Sequence, residues 1–239
     1  MGTEANALQF VKINGNDKVR SRTISKYVIP TAFRFEILIY ILVLKMYTDA
    51  CYCYLNIDRH EDARQLAEEQ LKSDVLSDLQ KADYFCVLGD INNDEESYER
   101  AWRISKGRHA RSMRSLGTLL VHQKRHKDAA NAFERALNLN HLHPGTWFVY
   151  GICNFVCEEF KLAAKGFRQC VRLEYDNFEA WANLSNAELK AGNKVAAHRT
   201  LNEAIKCNYE KWELWENFIT IATDIGDFNG AIRNVSLLI

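Results

Sequence analysis

The stretch CNYEKWELWENF (Cys207–Phe218) sets two tryptophans, Trp212 and Trp215, three residues apart among charged neighbours. Such a pair reads either as a stacking platform for a ligand or as filling between helices. The positions of the other tryptophans separate the two. Trp147, Trp181 and Trp215 stand 34 residues apart, twice in succession, and one further step upstream lies Met113, also large and apolar. Ala129, Ala163, Ala197 and Ala231 share a second phase, and each is followed four residues later by Phe133, Phe167, Leu201 and Val235. A third column reads Ala136, Cys170, Ala204 and Leu238. Gly117, Gly151 and Ser185 form a column of small residues that Ile219 breaks, with Leu184 just before Ser185.

A period of this length with bulky, small and alanine columns matches the tetratricopeptide pattern W-x2-L-G-x2-Y followed by A-x3-F. Each unit is then two short helices, marginal alone, crossing where a small residue lets the backbones approach. The Trp and Phe columns fill the space around that crossing, each ring burying ~150–250 Å². The fold class this predicts is all-α: a right-handed superhelix of helix-turn-helix repeats, an α-solenoid. Its units fall at about 110–143, 144–177, 178–211 and 212–239, the last cut short. Weaker signals place earlier units near 44–77 and, around "YFCVLGD", near 82–109. Residues 31–43 read as a flanking helix and 1–30 as irregular. Pro144 opens its unit, where a proline leaves no helical hydrogen bond unmade. His141, Tyr175 and Tyr209 replace the pattern's late proline, with Asn140, Asn177 and Asn208 supplying turn chemistry nearby. Trp215 is expected in the core, and Trp212 against the second helix of the preceding unit.

Composition agrees. Of 239 residues 47% are apolar, with only 2 prolines and 11 glycines, so few breakers interrupt helices. Lys+Arg and Asp+Glu each total 31, so no global charge recruits nucleic acid or membrane. Seven scattered cysteines point to a reducing compartment. The apolar run at 37–44 is too short to span a bilayer, and the first thirty residues lack an apolar signal-peptide region. The chain therefore reads as soluble and cytoplasmic, or nuclear as well. Its last unit stops inside a second helix whose "AIRNVSLLI" lacks a polar outer face. A piece of a longer protein, self-associating through that edge, is the expectation.

Three segments go beyond the generic repeat: "LGD" at Leu88–Asp90, "SKGRHARSMRS" at Ser105–Ser115 and "LNEAIKCNYEKWELWENF" at Leu201–Phe218. Together they resemble the tetratricopeptide repeat protein 27 family of eukaryotes, over roughly 44–239. The resemblance implies a longer, non-enzymatic intracellular scaffold or co-chaperone-like adaptor that helps assemble large complexes.

In such stacks the first helix of each unit lines a concave groove through its second, fifth, sixth, ninth and twelfth positions. Arg111 and Arg114 then make a basic end, Phe148, Ile152 and Phe155 an apolar stretch, Asn183 and Asn186 an amide-rich one, and Glu213, Glu216 and Asn217 an acidic end. That order suits an extended or helical peptide with apolar anchors and unlike charged ends. The asparagines would meet its backbone and the arginines its carboxylates. The alternative is a solvated face whose apolar residues cover a neighbour. The two-carboxylate clamp for Hsp70 and Hsp90 tails is absent, since Arg114, Thr118, Val149, Glu179 and Asn183 stand at its five positions and Glu179 repels carboxylates.

Rival chemistries are thinner. Cys153 and Cys157, four apart and preceded by His141 and His143, invite zinc, but Cys153 falls where the repeat prefers alanine. No cofactor or metal is expected. Ala101–Lys127 holds eight Lys or Arg and no carboxylate, which makes an RNA-associated adaptor using 103–127 the alternative function; a charge run more often solvates a helix face. No phosphate-binding loop, zinc-protease motif or nucleophile elbow occurs, so no enzyme is expected.

Overall fold

The computed structural model describes residues 46–73, 75–227 and 232. The segments 1–30 and 31–43, and Ala231, Val235 and Leu238 of the repeat columns, lie outside the described residues. Those described are helices joined by short turns, with no strand among them. The chain divides into two units, Met1–Gly107 and Arg108–Ile239.

In the first unit a helix over 46–56 (α1) is followed by α2 (His60–Leu71), α3 (Asp78–Asn92) and α4 (Glu95–Ile104). Its core gathers Cys51, Ala63, Ala67, Leu76, Tyr84 and Val87. α3 opens a turn before Ala82 because Ser77 and Gln80 form a capping box. The Ser77 hydroxyl accepts from Gln80 N at 3.3 Å while the Gln80 side chain accepts from Ser77 N at 3.0 Å. Asp94 caps α4, accepting from the amides of Glu96 and Ser97. The Ser97 hydroxyl and those amides hold its carboxyl below the usual range, against the smaller upward pull of burial. Gly89 lies under the ring of Tyr98, where a Cβ would stand 2.6 Å from Cε1, and the Tyr98 hydroxyl donates to Asp90 at 2.7 Å.

The second unit runs α5 (Ala110–His122), α6 (His126–Leu139), α7 (Pro144–Val156), α8 (Phe160–Leu173), α9 (Phe178–Lys190), α10 (Lys194–Cys207) and α11 (Trp212–Ile225). α5, α7, α9 and α11 thus open at the first residues of the four units. Each of the first three hairpins packs a first helix on its own second helix and passes contacts to the next hairpin. Gly117 and Gly151 are buried against Phe133 and Phe167, whose rings occupy the space a Cβ would need. Met113, Ala129, Ala136, Ala163, Cys170, Leu184, Ala197, Leu201 and Ala204 are buried too.

Three features recur at the repeat period. The first is a cap. His109, His143 and Asn177 each precede a first helix, and each side chain accepts from the third amide on: Ser112 N at 3.2 Å, Thr146 N at 3.2 Å and Ala180 N at 2.9 Å. The second is a left-handed residue just past a first helix: Lys124, Glu158, Gly192 and Gly226, with φ of 61°, 63°, 86° and 78°. There the next amide reaches back to the helix end, as Glu159 N does to Asn154 O at 2.9 Å. The third is a latch. The indole N–H groups of Trp147, Trp181 and Trp215 donate to the carbonyls of His141, Tyr175 and Tyr209 at 2.8, 2.7 and 2.8 Å. Each Trp is therefore half-buried, packed on the core through one edge and tying the inter-repeat turn through the other.

Trp212 departs from expectation. It is 66% exposed rather than packed against the preceding second helix. Trp215 fills the inner side, edge-on to Phe218 at 6.4 Å and latched to Tyr209, while the Lys211 ammonium lies 5.7 Å from the Phe178 ring centroid. No apolar seat is left for a second indole.

Candidate protein-interaction face

The first helices of the second unit carry the candidate face, and their outward residues differ in how far they are committed. Arg111, Asn186, Glu213, Glu216 and Asn217 are exposed, and Arg114 and Asn183 half-buried. Phe148, Ile152 and Phe155 are half-buried and pack on the second hairpin's core. Phe148 stands edge-on to Phe167 at 5.8 Å and Phe155 to Phe160 at 5.5 Å. One side of each ring is thus spent on its own repeat and the other remains to meet a neighbour.

One carboxylate on the same helices points inward, which nothing in the repeat columns signals. Glu188, at the end of α9, is 4% exposed. Arg168 of α8 holds its Oε1 at 2.7 Å, and the Thr200 hydroxyl of α10 donates to Oε2 at 3.1 Å. A charge so far from water requires both partners, so this contact fixes three successive helices in one arrangement and is unavailable to a ligand.

The metal reading finds other employment for its residues. His143 caps α7 through Nδ1. Cys153 is fully buried, and burial, reinforced by Cys157, pushes its thiol up to about 11. Among the described residues no three His, Cys, Asp or Glu side chains gather as a metal site. In the basic interval Arg108, Arg111, Arg114 and Arg125 all have interaction partners, Asp128 at 3.0 Å in the case of Arg125, so this is not a stripe of free cations. No helix among the described residues is long and apolar enough to cross a membrane.

Over 202 residues the chain is 35% identical to the tetratricopeptide repeat-containing protein trd-1 of Caenorhabditis elegans, covering 83% of this chain and 25% of that relative. The relatives it resembles are tetratricopeptide-repeat proteins. The tetratricopeptide repeat protein 27 homolog of Dictyostelium discoideum is 30% identical over 189 residues, 79% of this chain and 22% of its own. The resemblance read from the motifs is thereby supported over 79% of this chain. No family model matches the chain. A crystal structure of YrrB, described as a TPR protein with an unusual peptide-binding site, shares the fold with TM-score 0.57 at 18% identity, covering 72% of this chain and 89% of YrrB. The chain spans about a quarter of the length of the curated relatives it matches. Tetratricopeptide repeats are a class of protein–protein interaction scaffold, and the relatives are repeat proteins of a generally non-enzymatic family.

Proposed function

We propose that this segment is the partner-holding part of a non-enzymatic adaptor, co-chaperone-like in action, that helps assemble intracellular complexes. Its partner is an extended or helical segment of another protein lying across the first helices of the second unit. The observation that carries the reading is the order of side chains along those helices. Arg111 and Arg114 come first, then the half-buried Phe148, Ile152 and Phe155, then Asn183 and Asn186, then the exposed Glu213, Glu216 and Asn217. A partner with an acidic end, apolar anchors and a basic end complements that order. Affinity comes from the anchors, orientation from the charges. The peptide-binding site of YrrB, a repeat protein of the same fold, supports a peptide as the ligand class. Seven free thiols support a reducing compartment, cytoplasmic or nuclear.

Replacing Arg111, Arg114, Asn183 and Asn186 together by alanine tests this in the full-length protein. Partner recovery in affinity purification is expected to fall about tenfold or more at unchanged helicity. Undiminished recovery rejects the face. Retained protein partners with loss of salt-sensitive RNA binding would favour the RNA-associated alternative.

A further inference from the structure

The first unit holds a cleft that the repeat pattern does not account for. α2, α3 and α4 open a cavity of about 620 Å³. Its floor is apolar, made by Leu71, Phe85 and Ile104, all half-buried. Three cations line it: Lys72 just past the end of α2, Lys81 of α3 and Arg100 of α4. The Arg100 guanidinium lies over the Phe85 ring, 4.4 Å from its centroid. That contact holds the guanidinium over the apolar floor, and a guanidinium can take a carboxylate in two parallel hydrogen bonds. Of the two carboxylates in the lining, Asp78 is neutralised by Lys106 at 3.1 Å, which leaves Glu68 against three cations. Among the described residues no carboxylate forms an ion pair with Lys72, Lys81 or Arg100.

We infer that this cleft binds an acidic protein segment, with an aromatic or aliphatic side chain on the Leu71–Phe85–Ile104 floor and flanking carboxylates on Arg100, Lys81 and Lys72. The charge and the floor each exclude a different occupant. A purely apolar helix would strand three cations, and a nucleic-acid backbone would meet Glu68 without using the floor. The site is built from residues of the first unit alone and has the opposite charge preference to the acidic end of the second unit's face.

The test uses the full chain and short fluorescein-labelled peptides in which Glu residues flank a central Phe, read by fluorescence anisotropy. Comparison probes carry Lys for Glu, Ser for Phe, or are a single-stranded RNA oligonucleotide. The Glu–Phe peptide is expected to bind, and K81E/R100E to weaken it about ten- to hundredfold. The same variant should gain affinity for the Lys–Phe peptide, which an unfolded protein could not do. Serine for Phe should weaken binding to the native chain, and the K81E/R100E effects should persist when Arg111, Arg114, Asn183 and Asn186 are alanine, a background that removes the second unit's proposed face. The assignment is overturned by no binding of the Glu–Phe peptide, by indifference to K81E/R100E in that alanine background, or by tighter binding of the RNA.

Discussion

Gly166 has no room for a methyl group. A Cβ there would lie 2.9 Å from both Cα and N of Gly151 and 3.0 Å from the Trp147 carbonyl oxygen, all backbone atoms of the facing helix. At Gly151 the obstruction is the Phe167 ring, 2.7 Å away but able to tilt. Alanine in a helix interior gains about 1 kcal/mol over glycine, while overpacking costs about 1–3 kcal/mol. Gly166→Ala is therefore expected to lower stability by about 1 kcal/mol or more, and Gly151→Ala by less, measured as urea midpoints at constant slope. The reverse order would contradict the backbone contact. Gly151 was legible in the sequence because it shares a column with Gly117 and Ser185. Gly166 was not, since its column holds Ala132 and Thr200, and only in the second hairpin do two glycines meet. Trp212 was misread because helical spacing reports which residues adjoin, not that Trp215 and Lys211 have already taken the space.

At the scale of the element, helix positions and the starts of the first helices were legible, and the turns that follow those helices were not. The Trp, Gly and Ala columns carry the burial, so they announce where helices lie. The turns are set by backbone conformation, which Lys124 and Glu158 hide because neither is a residue that favours a positive φ. Gly192 and Gly226 at the same step show what the position prefers. An L-residue held left-handed costs roughly 1–2 kcal/mol, part of which glycine returns through its freer unfolded chain. Lys124→Gly and Glu158→Gly are each expected to raise stability by about 0.5–1 kcal/mol, seen as higher thermal midpoints. A lower midpoint for both would show that those side chains carry contacts outweighing the backbone. The histidine caps were hidden for a related reason: His143 drew attention as a metal ligand, whereas the geometry uses it, like His109, as a hydrogen-bond acceptor.

For the whole chain, the period alone was enough to name the architecture, because a repeat constrains every column at once. Function was less legible. The repeat columns pointed to a protein-interaction scaffold, but the partner is written in exposures that one sequence does not show. Glu188 illustrates the difficulty: by type it belongs with Glu213 and Glu216, and only burial separates a carboxylate that joins helices from those facing solvent. The most direct test of the proposed interaction face is site-specific photocrosslinking in the full-length protein inside cells. A benzophenone side chain is placed at Asn186 or Glu216 on the first helices, or at Glu134 or Lys165 on the exposed side of the second helices. Discrete partner adducts from Asn186 and Glu216, with none from Glu134 and Lys165, are the expected result. Adducts confined to Glu134 and Lys165 would contradict it.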